Sequence, residues 1–212
     1  MKYASVAKEV ARMLLEIGAI KLNLRKPYLW SSGWNSPIYC DNRLTLSFPE
    51  IRTFIKEELA DAVETAYPDL EAIAGVATAG IPQGVLVADT LNIPFIYVRS
   101  KPKGHGLENL IEGKIKKRQK VVVLEDLVST GGSSLKAAEA LKSKGLNVLG
   151  MAAIFTYGFD IAAENFKLAK LSLITLSNYA EMLTVAMDQK IVREKDVIEL
   201  KSWRVDPENW MK

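Results

Sequence analysis

The stretch VVVLEDLVSTGGSS, residues 121–134, joins four aliphatic residues to an acid pair and then to a loop of hydroxyl-bearing residues and glycines. Successive apolar residues without polar alternation predict a strand that is buried on both faces, as in a parallel sheet covered by helices. Glu125 and Asp126 fall at the carboxyl end of that strand. Because open parallel sheets bind ligands at the carboxyl ends of their strands, this stretch marks a candidate binding site.

The loop after the acid pair has the composition of a phosphate-binding loop. Residues 129–133 are small, so backbone N–H groups can converge on a phosphate at the start of the next helix. Two carboxylates would repel that phosphate, and we expect them to accept hydrogen bonds from sugar hydroxyls instead. The chain has neither G-x-x-x-x-G-K-[ST] nor G-x-G-x-x-G after a strand, which excludes the P-loop and dinucleotide-binding motifs.

Outward from this stretch, short apolar strands alternate with helices. The strands are predicted at 72–77, 93–98, 121–124, 148–155 and 171–176. The helices are predicted at 83–91, 133–144, 161–169 and 179–189. This alternation predicts a single α/β domain over residues 1–212, with a parallel sheet flanked by helices.

The N-terminal part precedes the alternation, and about the first 45 residues are expected to form an appendage to the core. Apolar residues at helical spacing predict a helix over 3–17, and a short strand is predicted at 20–24. Ser47, Pro49 and Glu50 have the pattern of a capping box, which predicts that Ser47 caps the next helix.

Composition bounds the class of protein. Hydrophobic residues make up 49% of the 212 residues and charged residues 25%, as in ordinary globular proteins. Cys40 and His105 are the only cysteine and histidine, which excludes internal disulfides, thiolate metal clusters and His-pair metal sites. No apolar run reaches the roughly 18 residues of a membrane span, and no signal-peptide pattern is present at residues 1–20, so we expect a cytoplasmic protein without membrane contact.

Positive charge is concentrated in one segment. Residues 99–120 contain eight basic residues against two acidic ones, although the whole chain has a net charge of only +3. An anionic ligand is the simplest reason for such clustering, and a solvated charged loop is the alternative.

The opening stretch resembles the phosphoribosyl-pyrophosphate (PRPP) motif of type I phosphoribosyltransferases, in which hydrophobic residues, two acids and two further hydrophobic residues precede a Thr/Ser-Gly loop. The resemblance implies the type I fold, a parallel sheet flanked by helices with a small N-terminal hood over about residues 1–45. It also implies a set of PRPP-binding residues in this stretch, namely Glu125, Asp126, Leu127, Val128, Ser129, Thr130, Gly131, Gly132 and Ser133.

Three further segments resemble the orotate phosphoribosyltransferases. RSKPKGHG (99–106) is similar to their mobile-loop motif, SGWNSPIYCD (32–41) to the segment beside the base, and GVATAGIPQG (75–84) to the loop beside the pyrophosphate. Ser100 stands where the family usually has a lysine. The four motifs occur in the family's order along nearly the whole chain.

Roles follow from this resemblance. Lys103, Glu125 and Asp126 are the implied catalytic residues, and Arg99, Lys103 and His105 would bind PRPP from a closing loop. Ser129, Tyr39 and Tyr157 would contact orotate. Mg²⁺ is the implied cofactor, held mainly by PRPP and water with no direct protein ligand. The family pattern further implies a homodimer in which the 99–112 loop acts on the partner site.

Base choice is left open by one departure from the family. An arginine that pairs with the base carboxylate commonly follows the strand ending near Phe155, but no Arg or Lys occurs between Met151 and Asn165. Backbone N–H groups, or Arg25, Lys26 or Arg43, would have to replace it. The alternatives are a phosphoribosyltransferase for another base and a non-catalytic PRPP-binding regulator of RNA or protein. No basic stripe interleaved with aromatic residues is present, so nucleic acid is not an expected partner.

Overall fold

The computed structural model describes residues 2–30, 32–101 and 110–211. The helices of these residues are α1 (Lys2–Glu16), α2 (Pro49–Ala66), α3 (Gly80–Thr90), α4 (Gly132–Ser143), α5 (Asp160–Leu168), α6 (Tyr179–Asp188) and α7 (Glu194–Val205), with a 3-10 helix at Asn42–Ser47. The strands are β1 (Ile20–Leu22), β2 (Tyr28–Leu29), β3 (Asn35–Ser36), β4 (Ile38–Cys40), β5 (Ala72–Val76), β6 (Phe95–Val98), β7 (Ile111–Glu112), β8 (Lys120–Val128), β9 (Asn147–Thr156) and β10 (Leu173–Asn178). None of the helices in the described part of the chain is long and apolar enough to span a membrane.

The central sheet has six strands in the order β10-β9-β8-β5-β6-β7. Its first five strands are parallel, whereas β7 pairs antiparallel with β6. The predicted α/β fold with a parallel sheet flanked by helices is therefore confirmed, with one antiparallel edge strand that was not predicted. Strand β7 has only two residues, too few to show a pattern in the sequence.

The strand of the opening stretch is apolar throughout because both faces of the sheet are covered. Val122 and Leu124 belong to a core shared with α1, α2, α3, α6 and α7. Val121 and Val123 belong to a second core, on the opposite face, shared with α4 and α5. All four side chains are 0% exposed, which is the burial that the lack of polar alternation predicted.

Two parts can be distinguished in the N-terminal 45 residues. Helix α1 belongs to the main core, where Val10 and Leu14 are fully buried, and Ser177 Oγ donates to the Ala7 carbonyl oxygen at 2.7 Å. After α1, two small antiparallel sheets, β1–β4 and β2–β3, stand apart from the central sheet. In the described residues neither small sheet pairs with the central sheet, although Ile20 of β1 and Ile38 of β4 are buried in the main core.

One local prediction was wrong, and one helix was missed. Ser47 ends the 3-10 helix instead of capping α2, whose N-cap is Phe48 without a side-chain hydrogen bond. Helix α7 was not predicted, because only Val197, Leu200 and Trp203 are buried on it and the pattern is too sparse to recognise. The predicted strand at 121–124 is longer in the structure, since β8 continues to Val128 and places the acid pair inside the strand.

The basic segment is divided between opposite edges of the sheet. Arg99 follows β6 at the carboxyl edge, where ligands of parallel sheets bind. Strand β7 then carries the chain back, so the basic residues between 114 and 120 precede β8 at the amino edge. An anionic ligand at the carboxyl edge therefore concerns only the first half of the segment, and the alternative of a solvated charged loop applies to the second half.

Candidate active site

The acid pair is largely buried at the end of β8. Glu125 is 6% exposed, and its two carboxylate oxygens accept hydrogen bonds from Ser134 Oγ and from the Asp126 N–H, both at 3.2 Å. Burial, and then the neighbouring negative charge of Asp126, raises the pKa of Glu125 to about 8. Burial also raises the pKa of Asp126. Asp126 is the more accessible of the two, so it is the better placed to meet a ligand.

A chain of buried polar groups supports the end of β8 from the N-terminal side. Asn42 Nδ2 donates to the Asp126 carbonyl oxygen at 2.7 Å, and Thr45 Oγ1 donates to the Asn42 carbonyl oxygen at 2.6 Å. Gln83 Nε2 on α3 donates to Thr45 Oγ1 at 3.1 Å. These residues were not predicted, because nothing in the local sequence pattern shows that the 3-10 helix meets β8.

The glycine-rich loop leaves the start of α4 open. Gly131 is the N-cap, with φ +81°, and no side chain caps the helix among the described residues. Gly132 and Ser133 are exposed, while Asn165 Nδ2 holds the loop by donating to the Thr130 carbonyl oxygen at 3.0 Å. Uncapped N–H groups at a helix N-terminus suit an anion, such as the phosphate predicted for this loop.

Val128 occupies a different environment from the rest of the predicted PRPP set. Its side chain is 0% exposed in the second core, and its carbonyl oxygen accepts from Thr156 Oγ1 at 3.0 Å and from the Tyr157 N–H at 3.3 Å. Leu127 is half-buried at the same strand end. Val128 therefore shapes the site through the backbone and not through its side chain.

The 75–84 loop lies beside the acid pair because β5 is the sheet neighbour of β8. Gly80 begins α3 and packs directly on β8, where a Cβ would collide with the Leu124 carbonyl oxygen. A Cβ on Gly75 would lie 2.9 Å from the Gly80 carbonyl oxygen. These two glycines allow the loop to approach the strand that carries the acids, and the Ala77–Thr78 peptide within it is cis.

An aromatic cavity of about 560 Å³ lies at the same end of β8, beside Leu127 and Ser129. It is lined by Leu29, Trp30, Ser32, Trp34, Tyr39, Cys40, Leu127, Ser129, Thr130 and Tyr157. All three predicted base contacts, Tyr39, Tyr157 and Ser129, are thus brought together. Trp30 and Trp34 also line the cavity but were not among the predicted base contacts, although Trp34 lies inside the segment that resembles the base-side motif.

The cavity wall is uncharged in the described residues, since no Arg or Lys lines it. Burial raises the pKa of Tyr157 well above its ordinary value, so this hydroxyl stays protonated and can donate. Of the basic residues considered as substitutes, Arg43 pairs with Asp41 at 2.6 Å, and Arg25 borders a separate depression with residues 191–199. Lys26 is exposed and lines neither.

Of the cationic residues predicted for the mobile loop, the structure describes Arg99. Arg99 forms an ion pair with Glu112 of β7, with 3.2 Å between Nη1 and Oε1. Lys103 and His105 lie outside the described residues, as does most of the 99–112 loop to which a closing motion and a role at the partner site were assigned.

The fold and the residues at the carboxyl edge of its sheet define a class of protein, the type I phosphoribosyltransferases. Comparison with known proteins agrees, because the family described as "Phosphoribosyl transferase domain" matches residues 46–190. Orotate phosphoribosyltransferase of Cytophaga hutchinsonii is 59% identical over 205 residues, which are 97% of this chain and 98% of that protein. The Bacteroides thetaiotaomicron protein of the same name is 56% identical over 200 residues, 94% of each chain. Among solved structures, orotate phosphoribosyltransferase from Aeropyrum pernix matches with a TM-score of 0.75 at 29% identity, covering 87% of this chain and 99% of that one. The chain belongs to the orotate phosphoribosyltransferase family.

Proposed function

We propose that this chain transfers the phosphoribosyl group of PRPP to orotate, giving orotidine 5′-monophosphate and pyrophosphate in pyrimidine synthesis. The observation that carries the proposal is the clustering of three candidate subsites at the carboxyl end of β8. The acid pair lies in β8, an uncapped helix N-terminus follows at residues 131–133, and Leu127, Ser129 and Thr130 between them line the aromatic cavity. These subsites match the ribose, the phosphate and the base of the product.

The reaction breaks the bond between the anomeric carbon and the pyrophosphate oxygen and forms a bond from that carbon to the base nitrogen. Positive charge develops on the ribose as the bond breaks. Asp126, with Glu125 behind it, accepts hydrogen bonds from the ribose hydroxyls and stabilises that charge. Backbone N–H groups and hydroxyls of residues 129–133 hold the 5′-phosphate in place. No covalent nucleophile is required.

Negative charge develops on the departing pyrophosphate, and we assign its stabilisation to the loop after β6. Lys103 is the main cation in this proposal, helped by Arg99 and His105. The loop would act on the site of a second copy in a homodimer. The 75–84 loop supports the assignment, since it borders the acid pair on the side of β5 and β6.

Mg²⁺ is part of the proposal, and the oxygen ligands at the site suit it. Glu125 and Asp126 supply carboxylate oxygens, which Mg²⁺ prefers, but two neighbouring carboxylates are too few to hold the ion alone. In residues 2–30, 32–101 and 110–211 no group of three or more His, Cys, Asp or Glu side chains could hold a metal. Bound mainly by PRPP and water, Mg²⁺ would neutralise charge on the pyrophosphate. We propose a cytoplasmic setting, which suits a chain with one unpaired cysteine.

A second candidate is transfer to a different base, which the uncharged cavity wall favours. The test is pyrophosphate release from PRPP and Mg²⁺ with orotate, uracil, hypoxanthine or adenine added in turn. Release with orotate alone supports the proposal. Release with another base instead assigns the cavity to that base, and release with none would favour a regulator that kept the PRPP site.

A further inference from the structure

Residues 194–211, comprising α7 and the turn that follows it, line no part of the aromatic cavity. We call them the C-terminal brace. Several of their contacts reach the two segments that form the cavity wall, the β2–β3 hairpin and the 156–159 turn after β9. The brace therefore lies behind the wall instead of facing the ligand.

Trp203 is the central residue of the brace. It is 0% exposed, and its indole Nε1 donates to the Asn35 carbonyl oxygen at 3.1 Å. Asn35 pairs with Leu29 across the hairpin, and Leu29 lines the cavity. The hydrogen bond thus fixes the position of the strand next to the one that faces the ligand.

The same indole ring packs against the aromatic lining. Trp203 meets Trp30 edge-on, with ring centroids 5.6 Å apart and an interplanar angle of 82°, and it meets Tyr157 at 5.8 Å and 85°. Trp30 and Tyr157 are themselves 4.9 Å apart on the cavity wall. Edge-to-face contacts of this kind restrict the orientation of both rings.

Two further hydrogen bonds attach the brace to the wall. The Arg204 guanidinium donates to the carbonyl oxygen of Gly158, the residue after Tyr157. Asn35 Nδ2 donates to the Met211 carbonyl oxygen at 3.2 Å. Both the hairpin and the turn are therefore held by the same C-terminal segment.

The position of the brace in the sequence separates it from the shared domain. The phosphoribosyl transferase domain matches residues 46–190, which contain the acid pair and the phosphate loop. The hairpin and the brace flank that match on its two sides and pack on each other. The base subsite must differ between enzymes that accept different bases, and here most of its residues lie outside the domain common to the class.

We propose that Trp203, together with Arg204, is a positioning residue of the base subsite, setting base affinity without touching the base. This inference rests on the proposed function. A merely structural role for the brace would weaken PRPP and base binding alike, whereas a positioning role acts on the base alone.

The experiment compares the parent enzyme with Trp203→Phe, which keeps an aromatic ring but loses the indole donor, and with Arg204→Met, which keeps an unbranched chain but loses the guanidinium. Ile198→Ala, on the same helix and 76% exposed, is the matched control. KM for orotate, KM for PRPP, kcat and melting temperature are measured for each. We expect each brace variant to raise the orotate KM about three- to tenfold, the effect of losing one hydrogen bond, with the PRPP KM within about twofold of the parent.

Equal rises in both KM values, or an unchanged orotate KM in a folded variant, would overturn the inference. Arg204→Met decides the question if Trp203→Phe does not fold. If the parent enzyme releases no pyrophosphate with any of the four bases, both the proposed function and this inference are overturned. An active parent whose brace variants keep the parental orotate KM overturns only the inference.

Discussion

The Asn42 side-chain amide donates a hydrogen bond to the Asp126 main-chain carbonyl oxygen, with 2.7 Å between the atoms and 84 residues between them in sequence. Asn42 is 1% exposed, so its amide has no solvent to replace this partner. The bond ties the segment before the shared domain to the acid at the centre of the site. Through this hydrogen bond the N-terminal part of the chain directly contacts the strand end that we propose to bind the ribose.

Asn42→Ala should therefore affect both stability and PRPP binding. Removing the amide leaves the buried Asp126 carbonyl oxygen without that donor, which costs roughly 1–3 kcal/mol. We expect a lower melting temperature and a PRPP KM raised about fivefold or more, because the end of β8 is released. Leu44→Ala is the control, since Leu44 lies on the same 3-10 helix and is 37% exposed. A PRPP KM that rises equally in both variants would contradict the specific role of Asn42.

The raised pKa of Glu125 predicts a pH dependence of stability without ligand. The fold favours the protonated carboxyl, so this contribution is complete below the unfolded pKa of about 4.5 and is lost as pH rises through about 8. Glu125→Gln cannot ionise at this position, so its folding stability should not fall over this pH range. Measured by denaturation, its stability relative to the parent should grow from pH 5 to pH 8 by roughly 1–3 kcal/mol. A difference that does not change with pH would mean that Glu125 ionises as freely in the fold as in water.

The two glycines at the start of α4 are expected to have different roles, Gly131 in the backbone conformation and Gly132 in ligand binding. Gly131 has φ +81°, and a Cβ there would lie 2.8 Å from Phe166 Cε2. Gly131→Ala should destabilise the fold by about 1–2 kcal/mol for the left-handed backbone, and further for the collision. At Gly132 the nearest atom to a Cβ is Thr130 Oγ1 at 3.9 Å.

Gly132→Ala is therefore expected to keep the parental melting temperature while weakening PRPP, because the added methyl group obstructs the approach of the phosphate. Melting curves and PRPP affinities of the two variants provide the comparison. If Gly132→Ala binds PRPP as the parent does, the phosphate does not approach the helix at this residue.

The acid pair and its loop could be predicted because residues 121–134 carry strand, acids and glycines in one continuous pattern. The base-side residues could be found only in part, since Tyr39 belongs to a recognisable segment but Trp203 approaches the cavity from the far end of the chain. Asn42 and Ser134 were missed because only the folded structure shows that they contact Asp126 and Glu125. The division of the basic segment could not be predicted from its charge either. The short antiparallel strand β7 sends residues 114–120 to the opposite edge of the sheet.

Subunit mixing tests the proposed action of Lys103 on a partner site. Lys103→Ala and Asp126→Asn homodimers each have both sites damaged, but a hybrid contains one site with neither lesion if the loop acts between subunits. Random assembly makes half of the dimers hybrids, so activity should recover to about a quarter of the parent. No recovery, with subunit exchange demonstrated by differently tagged chains, would place Lys103 at its own subunit's site.

The central claim is that the acid pair at the end of β8 is the ribose subsite between the phosphate loop and the base cavity. The catalytic efficiency of Asp126→Asn with PRPP and orotate tests it most directly, with Glu139→Gln on the exposed face of α4 as the matched control. Losing one charge-assisted hydrogen bond of about 1.5–3 kcal/mol predicts a fall of roughly ten- to hundredfold, with the melting temperature at or above that of the parent. A folded Asp126→Asn enzyme as efficient as the parent would contradict the claim.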